Sequence, residues 1–164
     1  MPQTTVSRRA SRRRRRAGLA AAIALLATAS GAVADTLRPP YWASINRSQA
    51  IMRRGPSELM RAMWQYQRMG LPVRVLAVRE DWRQVQDPDG TVGWMHKRLL
   101  SGRRTAIVTG GMQAMHTSPS IDAPVAFRAS PGVVGRISEC SDGWCLFDVM
   151  GQTGWIATSG IWGD

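Results

Sequence analysis

The most constraining feature of this chain is that it repeats itself. WRQVQDPDGTVGW, from Trp82 to Trp94, returns as WCLFDVMGQTGW, from Trp144 to Trp155: a tryptophan, two residues, an apolar side chain, a turn, then Gly-x-x-Gly-Trp. Upstream, RRGPS (Arg53 to Ser57) stands opposite HTSPS (His116 to Ser120), and MGLPVRVLAV (Met69 to Val78) opposite SPGVVGRISEC (Ser130 to Cys140). The offset is 63 at Pro56 and Pro119, 62 at Gly70 and Gly132 and at Trp82 and Trp144, and 61 at Gly93 and Gly154. So steady an offset identifies two copies of one unit of roughly 60 residues.

Each unit reads as a series of short strands. In the first, VRVLAV is apolar and β-branched, RED is a turn, WRQV a strand, DPDG a turn and TVGWM a strand, after which HKRLL suggests one helical turn. SELMRAMWQY passes locally as a helix, but nothing downstream of Asp35 sustains a helical period. Short strands in so small a unit predict an all-β fold of two small barrels. SGRRT between the units is too short to be a free linker, so the barrels should touch.

The first 34 residues belong to neither copy. Seven arginines (Arg8, Arg9 and Arg12 to Arg16) precede LAAAIALLATA, and AVA then sets small residues at Ala32 and Ala34 before Asp35. This order is that of a secretory signal cleaved between Ala34 and Asp35. The apolar run falls short of the roughly 20 residues of a comfortable membrane span, so no stable span is expected after cleavage. The absence of a cysteine near the junction excludes lipid modification there, and the double arginines leave ordinary secretion and twin-arginine export both open. The expected organisation is signal peptide 1–34, lead-in 35–40, first barrel 41–102 and second barrel 103–164. The expected location is the periplasm or cell envelope.

Cleavage changes the charge argument. Of 22 basic residues seven lie in the signal, leaving fifteen against eleven acidic ones, a net of +4. The sequence pI near 11.5 is therefore no sign of a nucleic-acid partner. The remaining charge is unevenly shared, with ten basic and five acidic residues over 41–100 but two and five over 106–164.

The run from GPS through GLPV, DW, DGTVGW and LLSGRR resembles the bacterial SH3-like domain, and the tandem behind a signal resembles exported SH3-like proteins of Gram-negative bacteria. The resemblance covers about 42–163. It implies a five- to six-stranded barrel used as a binding module, often for cell-wall peptide or glycan, with no cofactor. The peptidase domain that frequently accompanies such modules has no counterpart in these residues. A protein-interaction or structural adaptor in the periplasm is the alternative reading.

Cys140 and Cys145 flank Ser-Asp-Gly-Trp. With Asp142-Gly143 as a two-residue turn, Ser141 faces Trp144 and Cys140 faces Cys145. The cysteines then form a non-hydrogen-bonded pair with Cα atoms about 4.5 Å apart, within reach of a disulfide. A thioredoxin-like pair needs Cys-x-x-Cys at a helix start. Zinc needs further ligands, and His96 and His116 lie 44 and 24 residues before Cys140. A disulfide is the expected state, and closing so short a loop contributes about 2 kcal/mol in the chain-entropy model.

No catalytic constellation assembles on paper. Asp87 and Asp89 read as turn formers, and the twelfth position from Asp87 is Arg98 where a calcium loop needs glutamate. The expectation is a binding protein with no enzymatic activity. Trp82, Trp94, Trp144 and Trp155 recur in both units and read as core or hairpin packing. Arg53 and Arg54, in an expected RRGPS loop, are the most concentrated cationic candidates for an anionic ligand. Trp64 and Tyr66 lie two apart on an expected strand, hence on one face, and the second unit offers Phe127 and Ala129 near those places. These four are the candidate ligand contacts.

Overall fold

A computed structural model describes residues Leu37–Asp164. The expected signal and its cleavage site at Ala34 and Asp35 lie outside the described residues. Fourteen strands follow in chain order. The first seven are β1 (Tyr41–Ile45), β2 (Ala50–Arg53), β3 (Ala62–Tyr66), β4 (Pro72–Arg79), β5 (Trp82–Gln86), β6 (Val92–His96) and β7 (Leu100–Ser101). The second seven are β8 (Thr105–Val108), β9 (Gln113–His116), β10 (Val125–Ala129), β11 (Val134–Ser141), β12 (Trp144–Val149), β13 (Gln152–Ala157) and β14 (Ile161–Trp162).

The duplication read from the sequence is a duplication of topology. The first sheet runs β3-β2-β6-β5-β4-β1-β7 and the second β10-β9-β13-β12-β11-β8-β14, the same order with every strand advanced by seven. Even the irregularities repeat. The β4–β5 ladder shifts register between Val75 and Ala77, and the β11–β12 ladder between Ile137 and Cys140. Seven strands per unit exceed the expected five or six, because β7 and β14 are two-residue ends that close onto β1 and β8. The expected helical turn is a 3-10 turn at Lys97–Leu99, matched by another at Thr158–Gly160. Among the described residues no helix is long and apolar enough to cross a membrane.

Strand alternation explains both cores. Side chains two apart share a face. In the first barrel Ala43, Ile45, Met52, Val73, Val75, Val85 and Met95 therefore turn inward together with Tyr66. In the second, Val108, Met115, Ile137, Phe147 and Ile156 do the same. The Gly-x-x-Gly-Trp motif has two distinct causes. Gly90 and Gly151 hold φ of 87° and 90° at the turn, where glycine carries no steric penalty. Gly93 and Gly154 lie inside, and a Cβ there would meet Met52 Cγ at 2.4 Å or Met115 Cβ at 2.7 Å. The crossing strand needs that space.

The barrels touch, as the three-residue connector Gly102–Arg104 requires. Arg68 donates to the Gly132 carbonyl at 2.7 Å. Trp42 of β1 meets Trp162 of β14 edge to face at 4.6 Å between ring centres. Both ion pairs among the described residues, Lys97–Asp81 and Arg98–Glu58, lie within the first barrel, so the unequal charges of the two units are not spent on pairing them with each other.

Candidate functional site

The alternation that fills the core sends the other half of each strand outward. On β2, β3, β5 and β6 of the first barrel this outer set includes Ile51, Arg53, Gln65, Trp82 and His96. They line a groove of about 210 Å³ with Gln49, with Glu58 from the β2–β3 loop, and with Arg98 and Leu99 from the 3-10 turn. Trp82 and His96 are cross-strand partners, their rings edge to face at 5.4 Å.

The groove's charges are not equivalent. Arg98 reaches Glu58 at 2.6 Å, but both side chains are more than half exposed, a setting in which an ion pair contributes under about 1 kcal/mol. Arg53 has no carboxylate partner among the described residues and donates through Nη1 to the Met60 carbonyl at 2.9 Å. That single bond orients the guanidinium while leaving most of its donors free. His96 Nδ1 accepts from the Arg98 amide at 3.2 Å and so begins the 3-10 turn. Its Nε2 faces Asp81 at 4.0 Å. Asp81 is itself bound by Lys97 at 2.7 Å, and that hydrogen bond, with the lysine's charge, holds its carboxyl below the ordinary carboxylate range. A half-buried aromatic wall, an orienting imidazole and a free guanidinium can together hold a planar anionic group or a carboxylate-bearing peptide.

The fold and the repeat agree with a sequence comparison. The model of the bacterial SH3 domain matches twice, at residues 46–102 and 109–163. The chain belongs to the bacterial SH3 domain family. Among solved structures, NlpC1 from Trichomonas vaginalis is 13% identical with a TM-score of 0.36, the match covering 77% of this chain and 46% of that one. NlpC2 from the same organism is 13% identical with a TM-score of 0.35 and coverages of 77% and 49%. An NlpC/P60 family protein from Bacillus cereus is 14% identical with a TM-score of 0.34 and coverages of 74% and 56%. The chain thus spans about half the length of these structures. No curated protein matches it.

Within this pair of SH3 domains the lining of the groove is not duplicated. Arg53 pairs with Trp94 in the first domain, and His116 pairs with Trp155 in the second. The same place in the repeat therefore holds an arginine once and a histidine once. His116 is 5% exposed and lies edge to face on Trp144 at 5.5 Å. Its Nδ1 is 2.7 Å from the Ala123 carbonyl, which can only accept, so Nδ1 carries the proton. His116 is the last residue of β9 and lies buried against Trp144 in the place that Arg53 holds in the first domain.

The four candidate contacts separate. Arg53 is the last residue of β2, not part of a loop, and lines the groove. Arg54 follows it on the opposite side, exposed and outside the groove. Trp64 and Tyr66 do share a face of β3, yet Trp64 is 60% exposed and Tyr66 only 7%. Tyr66 points into the barrel and donates to Asp87 Oδ2 at 2.7 Å. Burial first, then this bond, pushes its phenol far above the ordinary tyrosine value. Asp87 Oδ1 accepts from the amides of Asp89 and Thr91 at 3.1 and 2.8 Å, as a turn former should.

Cys140 and Cys145 are joined by a disulfide across paired positions, with Cα atoms 4.1 Å apart. Asp142 and Gly143 take φ of 50° and 80° between them. Trp82, Glu58, His96 and Arg98 were not among the sequence candidates for the groove. The four repeated tryptophans are half-buried on the outer faces instead of filling the cores. Parity was the available signal: with Val85 and Met95 inward, Trp82, Trp94 and His96 must point outward.

Proposed function

We propose that this protein is a non-enzymatic, exported binding module of the cell envelope, and that the outer groove of its first SH3 domain recognises a carboxylate-bearing peptide or glycan of the cell wall. The observation that carries this reading is the inequality of the two domains at one place of the repeat. Among the described residues Arg53 forms no ion pair with a carboxylate beside Trp82 and His96, whereas its counterpart His116 packs onto Trp144 in the equivalent place. Glu58 on Arg98 marks where a ligand carboxylate can compete, since the pair is solvent-exposed. The disulfide is in keeping with an oxidising compartment outside the cytoplasm. It also consumes both thiols that a cysteine nucleophile would need.

Sedimentation with purified sacculi tests the reading. The chain should co-sediment at low salt and less so as salt rises, because exposed charges are screened beyond about 8 Å at physiological ionic strength. Arg53→Gln should weaken binding about tenfold, while Arg54→Gln, outside the groove, should leave it within about threefold; one lost charge-assisted bond of about 1.5 kcal/mol gives the former figure. Equal effects of the two changes, or no sedimentation at low salt, would remove the groove from this role.

A further inference from the structure

The first sheet ends in an uncovered strand. β3 hydrogen-bonds to β2 alone and is the outermost strand of its sheet. Among the described residues no backbone bond joins its other side to any segment. An antiparallel strand bonded on one side leaves alternate N–H and C=O groups facing outward, a template for another chain. Soluble proteins usually blunt such an edge with lysine, proline or a cover. AMWQY carries none of these.

The side chains around the edge are apolar and displayed. Met63 and Trp64 of β3 are 39% and 60% exposed, and Met60 and Leu59 just before it are 46% and 96% exposed. Single exposed hydrophobics need no explanation, but four within six residues form an apolar patch that wraps the edge, with Met63 and Trp64 on opposite faces of the strand. The patch is rimmed by positive charge. Arg54 and Arg61 are joined at the mouth of the hairpin by Arg54 N–H to the Arg61 carbonyl at 3.1 Å, and neither has a carboxylate partner among the described residues. The corresponding edge of the second domain differs, since Phe127 stands where Trp64 does and packs against the core.

We propose that β3 is a docking edge for an extended segment of a partner protein, one with apolar residues in alternation and carboxylates at its flanks. The segment adds to the sheet as a further antiparallel or parallel strand. Its backbone pairs with the free side of β3, its apolar side chains, all on one face, cover Trp64, and its carboxylates meet Arg54 and Arg61. Charge selects this occupant over the first domain of a second copy, which carries ten basic and five acidic residues over 41–100; docking by a copy's second domain, with two basic and five acidic residues over 106–164, is read by the self-association arm of the test. Trp64 lies outside the groove, to which only Gln65 of β3 contributes, while Met60 and Trp82 border a shared pocket between the two surfaces. The inference goes beyond cell-wall recognition and does not rest on it.

The test uses the full chain and a synthetic peptide with glutamates at both ends of an alternating valine–threonine centre. Titration calorimetry should show binding, and hydrogen exchange should show slowed amides within 62–66. Methylating alternate backbone nitrogens of the peptide should weaken binding about tenfold or more, as should Trp64→Ala or replacing the glutamates with lysine. Gln49→Ala, in the groove, should leave peptide affinity unchanged. The proposal is overturned if the methylated peptide binds as well, if Gln49→Ala abolishes binding while Trp64→Ala does not, or if no peptide binds. It is overturned equally if the chain alone self-associates with its β3 amides protected, which would make a second copy the occupant.

Discussion

Replacing Tyr66 with phenylalanine isolates one bond that ties β3 to the β5–β6 turn. The ring stays in the core and only the hydroxyl leaves, so the packing of a 7%-exposed side chain is preserved. What is lost is the 2.7 Å hydrogen bond to Asp87, a carboxylate itself 5% exposed. Hydrogen bonds to charged groups contribute about 1.5–3 kcal/mol. Asp87 keeps its two backbone donors from Asp89 and Thr91, so the loss should fall near the middle, about 2 kcal/mol. The phenol is held far above its ordinary pKa, chiefly by burial, and donates at any pH where the protein is folded. The loss should therefore not depend on tyrosine ionisation. Urea unfolding followed by amide NMR measures it, with second-domain amides as the internal reference. The same substitution in an Asp87→Asn background completes a double-mutant cycle. A loss below about 0.5 kcal/mol, or an equal loss in both backgrounds, would refute the assignment of this bond as a stabilising tie.

Three other outcomes are expected. Lys97→Ala should raise the Asp81 titration midpoint toward the ordinary carboxylate value, read by side-chain NMR, because Lys97 is the main cause of its depression. A carboxylate depressed in the fold adds stability above its unfolded pKa and loses it as pH falls through the folded value; here both partners are 56% exposed, so the acid-side loss should be small. Replacing Cys140 and Cys145 together with alanine should cost the second domain about 2 kcal/mol in urea, seen as earlier loss of its amide signals, while first-domain amides hold. Intact mass of protein recovered outside the cytoplasm should begin at Asp35, and a species retaining Arg12 to Arg16 would contradict cleavage after Ala34.

The sequence alone determined whatever depends on local pattern. The steady offset between Trp82 and Trp144 required two copies of one unit, and the structure repeats the strand order and the bulge of that unit. Asp142-Gly143 set the hairpin register, and with it the Cys140–Cys145 pairing, because a tight turn fixes which residues stand opposite. Asp87 declared itself a turn former through its neighbours Pro88, Asp89 and Gly90. Only the tertiary structure decided depth. A period of two tells which side chains share a face, and Trp64 and Tyr66 do share one, but it does not say how far the barrel extends along the strand. Tyr66 falls opposite buried Ala50, reaches Asp87 and is enclosed; Trp64, two residues before it, falls opposite equally buried Met52 and is left in solvent. Equivalent places in the repeat likewise met different fates. Arg53 and His116 occupy one position, yet the imidazole is buried against Trp144 with one hydrogen bond to Ala123, whereas burying a guanidinium, which cannot shed its charge, would demand a countercharge. How each place is lined depends on contacts between strands far apart in the chain, and no local pattern contains them.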